Sequence, residues 1–311
     1  EQPKISHGLT HVHHFYSRRN LYAISALISS QHSFSETNSK LFLDGIQTIS
    51  TSLVSKLTRY KYKKSGNSML SGTLYVASTI AEQNVFKVIL AKLEDIFIAK
   101  RPISPNQSSI LTRSSTHFNI EEYKINYIFI DPPFGGNLMY SELNFLWEAW
   151  LRVFTNNRPE AIVNAVQNKS LFEYQALMQA CFDEFFRLLK PGHWMTVEFH
   201  NSQNSVWNAI QEVLQHAGFV IADVRILDKQ QQTFKQFNST GAVKQDLIIS
   251  AYKPNGNLEE RFRLQAGRVG GVWEFVRYHL GKLPVVNTAD SKPVVNAERL
   301  PFLLYDRMVA F

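Results

Sequence analysis

The run Asn126 to Ile130 (Asn-Tyr-Ile-Phe-Ile), cut off by Asp131-Pro132-Pro133-Phe134, constrains this chain more than any other stretch. A short, mostly apolar run without helical spacing predicts a strand buried on both faces. Proline cannot donate to a ladder, so the strand must end at Asp131. Two prolines also fix φ, and whatever follows is held with little conformational freedom. Gly135-Gly136 then predicts a turn.

The sequence on either side places this strand in an α/β fold. Phe172 to Leu189 carries an apolar stripe (Leu177, Met178, Cys181, Phe182, Phe185, Leu188) and is stopped by Lys190-Pro191-Gly192, which predicts an amphipathic helix. Trp194 to Phe199 predicts the next strand, Ser205 to Gln215 a helix capped at Gly218, and Phe219 to Leu227 and Leu247 to Tyr252 two further strands. Strand, helix, strand, helix, strand is the order of a mostly parallel sheet. The long polar segment Asp228 to Gln245 lets the last two strands pair as an antiparallel edge.

Upstream, Phe15 to Ser29, Leu41 to Leu57 and Glu82 to Lys100 have helical periodicity, and Gly72 to Ala77 and Ser109 to Ser114 read as short strands. The chain divides into a helical or mixed region over 1–107, an α/β core over 108–254 and a helical extension over 255–311 that contains Trp273 to Leu280. It starts without methionine and ends inside an apolar run, Leu303 to Phe311, which suggests a piece of a longer protein.

Composition narrows the partners. At 311 residues and 44% hydrophobic content the chain can bury a substantial core. A formal net charge of +7 favours anionic partners, nucleic acid first. Lys56, Arg59, Lys61, Lys63 and Lys64, interleaved with Tyr60 and Tyr62, can track a phosphate backbone or form a solvated face. The single cysteine, Cys181, excludes an internal disulfide and a cysteine-built zinc site, and fits a cytoplasmic protein. No apolar run approaches a membrane span and no signal peptide opens the chain.

Asp131 to Phe134 holds groups that suit an exocyclic amine. Ligands of open α/β sheets bind beyond the carboxyl ends of the strands. The lone pair of such an amine is delocalised into its ring, so it is a weak nucleophile. The Asp131 carboxylate and the Pro132 carbonyl can accept its two N–H bonds and aim its lone pair at a methyl donor. Phe134 can stack on a base that has left its helix. The plain alternative is a strand-ending turn beside an ordinary buried aromatic ring.

Asp131-Pro132-Pro133-Phe134 resembles the Asp/Asn/Ser-Pro-Pro-Tyr/Phe motif of S-adenosylmethionine-dependent amino-methyltransferases. Asp in first place resembles the adenine N6 enzymes. The longer run through Tyr140-Ser141-Glu142-Leu143, leading into the aromatic segment Phe145 to Leu151, resembles large bacterial site-specific DNA methylases of the restriction-modification kind. Leu189-Lys190-Pro191-Gly192 and Ala217-Gly218-Phe219 resemble the turns before the fifth and sixth strands of class I methyltransferases. The resemblance spans about residues 108–254. It implies a Rossmann-like methyltransferase sheet with an antiparallel seventh strand, S-adenosylmethionine as cofactor, and double-stranded DNA with a flipped base as substrate. It implies catalytic roles for Asp131, Pro132, Pro133 and Phe134, cofactor contacts from Asp131, Glu198 and His200, and substrate contacts from Phe134, Tyr140, Lys229 and Lys235, without a metal.

One part of the family pattern is missing. These enzymes hold the methyl donor on a glycine-rich loop of the type Asp-Pro-Phe-x-Gly-x-Gly, and the nearest stretch, Leu41 to Ser52, lacks the second glycine and reads as a helix. The loop lies upstream of Glu1, comes from another chain, or has been lost. The cut-looking ends favour the first. Loss would make the chain a DNA-recognition subunit beside an active enzyme, and cytosine N4 or RNA remains an alternative target. His11, His13 and His14 cluster without an acidic or cysteine partner spaced to complete a metal site, so a hydrogen-bonding or phosphate role suits them better. Phe15 to Asn20 resembles a segment near the cofactor pocket of the same methylases.

Overall fold

The computed structural model describes residues 4, 7–62, 67–99, 109–200, 204–227, 246–255, 269–289 and 292–310. These form two compact units, Glu1–Thr112 with Met139–Arg158, and Arg113–Leu138 with Pro159–Phe311. The expected strand–helix–strand order is present in the second unit, as an α/β arrangement with a mixed sheet.

The first unit is helical. It contains α1 (Arg18–Ser30), α2 (Glu36–Ser52), α3 (Val85–Ala99) and α4 (Tyr140–Leu151). Ser17 caps α1, its hydroxyl accepting from the Asn20 amide, which satisfies one of the orphan donors of the first turn. Ile24, Ile46, Ile49, Val85, Ile89 and Leu146 face one another in its core. A Cβ on Gly45 would lie 2.9 Å from Ile89 Cδ1, so the glycine sets how closely α2 and α3 pack. Trp150 donates from Nε1 to the Tyr16 hydroxyl at 2.9 Å, and burial pushes that phenol up to about 12. The stretches 72–77 and 109–114, expected as strands, pair with nothing in a ladder; Gly72 sits in a turn at φ +70° instead.

The second unit is built on a four-stranded sheet in the order β1-β2-β4-β3. Its strands are β1 (Ile125–Ile130), β2 (Leu189–Phe199), β3 (Val220–Leu227) and β4 (Asp246–Tyr252). β1 and β2 are parallel, with Ile130 opposite Val197. β4 runs antiparallel to both β2 and β3 and lies between them. The expected antiparallel strand is therefore present, with β3 rather than β4 at the rim. Three strands still run in one direction.

Two helices, α5 (Leu171–Leu188) and α6 (Asn204–His216), cover one face of the sheet. A capping box between Ser170 and Glu173 starts α5. Its stripe of Tyr174, Met178, Phe182 and Phe185 packs on Met195, Val197 and Phe199 of β2 and Ile249 of β4. Burying each such side chain contributes roughly 1.5–3 kcal/mol. On the other face α7 (Val269–Lys282) brings Phe275 against Val220, Ala222 and Tyr252. The hairpin β5 (Val286–Ala289) with β6 (Lys292–Val295), and α8 (Pro301–Ala310), follow.

The structure corrects one expectation for β1. Ile125, Ile128 and Ile130 pack against the core, but Tyr127 and Phe129 are 54% and 56% exposed. β1 is the end strand of this sheet, and among the described residues of the second unit nothing buries its second face.

Candidate active site at the carboxyl ends of the strands

Asp131 follows directly on β1, and Glu198 is the β2 residue one step beyond Val197, the register partner of Ile130. The two carboxylates are therefore carried at the same level by adjacent parallel strands, where ligands of such sheets are held. Asp131 is exposed, Pro132 buried, and Phe134 half-buried.

The turn after the prolines is fixed from three sides. The Tyr174 hydroxyl donates to the Pro133 carbonyl at 2.8 Å. The Val163 amide donates to the Gly135 carbonyl at 3.2 Å. Gly135 adopts φ +64°, a conformation that favours glycine. Tyr174 is buried completely, and desolvation pushes its phenol well above its ordinary value, so it stays a donor at any physiological pH.

Phe134 is held edge-on against Phe199, with ring centroids 5.4 Å apart and planes at 85°. Its other neighbour is the His200 ring, 6.0 Å away. His200 is itself tied down, with Nδ1 2.5 Å from the Asp246 carboxylate at the start of β4. Asp246 is buried and opens β4, so this close approach joins the end of β2 to the start of β4 at the rim of the site. A flat ring supported from below and beside, next to an accessible carboxylate on a rigid turn, can orient a planar amine-bearing group.

The structure thus brings together Asp131, Pro132, Pro133, Phe134, Glu198 and His200. Tyr140 opens α4 in the other unit, where it is exposed. Lys229 and Lys235 lie outside the described residues. Tyr174 and Asp246 were not singled out from the sequence. Tyr174 could have been found by extending the α5 stripe back one turn from Met178. Asp246 has no such signal, because its role depends on the pairing of β4 with β2.

These residues fit a planar amine better than they fit the methyl donor that the sequence resemblance implies. A donor with a carboxylate and a ribose needs a cradle of backbone amides, and the nearest glycine-bearing stretch, 41–52, is the interior and end of α2. Among the described residues no cluster of His, Cys, Asp or Glu side chains is placed to hold a metal ion. No described helix is long and apolar enough to cross a membrane.

No protein-family model matches the chain, and no curated protein matches it. Among solved structures, it is similar to a candidate DNA modification methylase from Thermus thermophilus at 16% identity, over 51% of this chain and 58% of that one, with a TM-score of 0.26. The same Thermus protein complexed with S-adenosyl-L-methionine aligns at 15% identity over 62% and 69% of the two chains, with a TM-score of 0.26. A SAM-dependent methyltransferase from Methanosarcina mazei aligns at 11% identity over 54% and 78%, with a TM-score of 0.28. The chain spans little more than half the length of the first of these. At these values the functional reading rests on the chain's own residues.

Proposed function

We propose that this chain carries the target-amine side of an S-adenosylmethionine-dependent methyltransferase that acts on the exocyclic N6 of a flipped adenine in double-stranded DNA. The observation that carries the reading is the Asp131 to Phe134 turn: an accessible carboxylate and a braced aromatic ring at the carboxyl end of a strand, beside Glu198. The sheet order supports it too, since an antiparallel strand set between β2 and β3 suits the resemblance to the class I methyltransferase sheet.

In this reading Asp131 and the Pro132 carbonyl accept the two N–H bonds of the amine. That favours a tetrahedral nitrogen and directs its lone pair away from the ring. Phe134 stacks on the base, and the bracing by Phe199 and His200 keeps the ring from turning aside. S-adenosylmethionine supplies an electrophilic methyl group. In this reading Asp131, Glu198 and His200 would meet it, together with a backbone-amide loop contributed by a further segment or another chain.

A second reading has its own observation. Because 41–52 is plain helix, the chain can instead be a recognition subunit that binds DNA beside an active enzyme. Incubating the intact protein with methyl-labelled S-adenosylmethionine and double-stranded DNA, then digesting to nucleosides, separates the two. Label in N6-methyldeoxyadenosine supports the enzyme. Label in N4-methyldeoxycytidine, or label in a parallel incubation with RNA, moves the substrate. DNA binding without any label supports the subunit.

A further inference from the structure

Helix α3 carries more apolar surface than the first unit buries. Val85 and Ile89 are buried, and Gly45 of α2 sits against Ile89 and Leu93. A second stripe, Phe86, Leu90, Leu93 and Phe97, runs along the flank of the same helix at spacings of four, three and four residues. Three of its members are open to solvent: Phe86 is 52% exposed, Leu90 62% and Phe97 79%. Alternating spacings of three and four are those at which two helices interlock their side chains. Apolar side chains grouped on an exposed face mark a contact surface. At its Phe97 end the stripe borders a cleft of about 270 Å³, lined by Leu41, Phe42, Leu93, Ile96 and Phe97.

The stripe is its own complement. It reads Phe-Leu-Leu-Phe from either end. A second copy of α3 laid antiparallel along it therefore sets Phe86 beside Phe97 and Leu90 beside Leu93, each twice. Phe86 of each copy then arrives at the mouth of the other's cleft. A two-fold axis joins one patch to itself in this way.

The charges beside the stripe fit the same arrangement. Lys87 follows Phe86 and Glu94 follows Leu93, so both exposed side chains border one side of the stripe. In the antiparallel pairing Lys87 of one copy and Glu94 of the other fall between the same two apolar layers, again twice. A parallel pairing carries them to opposite sides of the seam and loses both pairs. Lys87 and Glu94 are seven residues apart on their own helix, too far to pair within it. The ion pairs among the described residues include neither.

We infer that α3 is a homodimer interface, in which two copies of the chain pair antiparallel through Phe86, Leu90, Leu93 and Phe97, with Lys87 and Glu94 setting the register. The interface does not rest on the methyl-transfer reading.

The test is sedimentation-velocity ultracentrifugation of the intact protein over a dilution series. The expected result is a dimer that dissociates on dilution. Leu90→Glu changes an exposed side chain, so the circular-dichroism spectrum should stay unchanged while the protein becomes monomeric. Lys87→Glu sets Glu against Glu twice and should raise the dissociation constant about tenfold or more, as should Glu94→Lys with the signs reversed. The double variant K87E/E94K should return to within about threefold of the unmodified protein, because each copy then offers the other the exchanged pair. A different protein seated on the stripe gives no such rescue. A monomer at every concentration, a dimer untouched by Leu90→Glu, or a double variant no tighter than the single ones would each overturn the interface. Asp131→Ala should dimerise as the unmodified protein does, so failure here and failure of the methyl-transfer reading are read separately.

Discussion

The phenolic hydroxyl of Tyr174, in the first turn of α5, donates to the carbonyl of Pro133 at 2.8 Å. It ties the helix that covers the sheet to the turn that would present the target amine. Tyr174→Phe keeps the ring and removes only the donor. The cost to stability should be about 1 kcal/mol, while turnover on DNA should fall about tenfold or more, because a small shift of the turn misplaces Asp131 and Phe134 together. Melting temperature and kcat measured on the same preparation check this. A loss of stability with kcat unchanged would reduce Tyr174 to a packing residue.

Glu184 and Arg187 pin the segment before β1 to α5. Glu184 accepts from Arg187 at 2.7 Å and from the Phe118 amide at 2.6 Å, and Arg187 donates onward to the Phe118 and Ile120 carbonyls. The Arg187 hydrogen bonds, reinforced by the Phe118 amide, hold the Glu184 carboxyl down at about 2 against an ordinary 4.5. The stability it contributes is complete above pH 4.5 and is lost as pH falls toward 2. Glu184→Gln should be less stable at pH 7 by about 2 kcal/mol, and the gap to the unmodified protein should close over that acid window. Urea melts from pH 7 to pH 2.5 measure it.

Lys253 gives the same direction of pH dependence in an alkaline window, because here it is the charged form that is disfavoured. Its ammonium lies 4.2 Å from the ring centroids of both Tyr123 and Phe186 and donates to the Phe186 carbonyl. Burial pushes it down from 10.5 to about 8. Between those values the unfolded chain keeps a proton that the folded chain has shed, so Lys253 makes stability rise with pH across pH 8 to 10.5. Lys253→Met should lack that rise. Thermal melts from pH 7 to 10 should therefore show the unmodified protein gaining stability relative to the variant as pH rises, and parallel curves would mean that the ammonium is not desolvated.

The α/β core was legible because its signals are local. The apolar run into two prolines located β1, and the stripe ending at Leu188 located α5. What covers a strand is not local. Tyr127 and Phe129 have the composition of a buried strand, but periodicity carries no information about the layer beyond them. Residues 72–77 and 109–114 have strand-like composition and no partner, and composition without a partner makes no ladder. The insertion of β4 between β2 and β3 depends on pairing across the sheet, and so does the contact of His200 with Asp246. The candidate site was accordingly legible at Asp131 to Phe134 and at the ends of β2, and illegible wherever a distant element completes it.

The most direct measurement is the initial rate of methyl transfer to DNA by the intact protein and by its Asp131→Ala variant, with melting temperatures compared. Asp131 is exposed at the end of β1, so its truncation should leave the melting temperature within a degree or two. The expected result is a rate lowered by about a hundredfold or more in a protein that still folds and still binds DNA. A variant that methylates DNA at the unmodified rate would contradict the assignment of Asp131 to Phe134 as the amine-holding site.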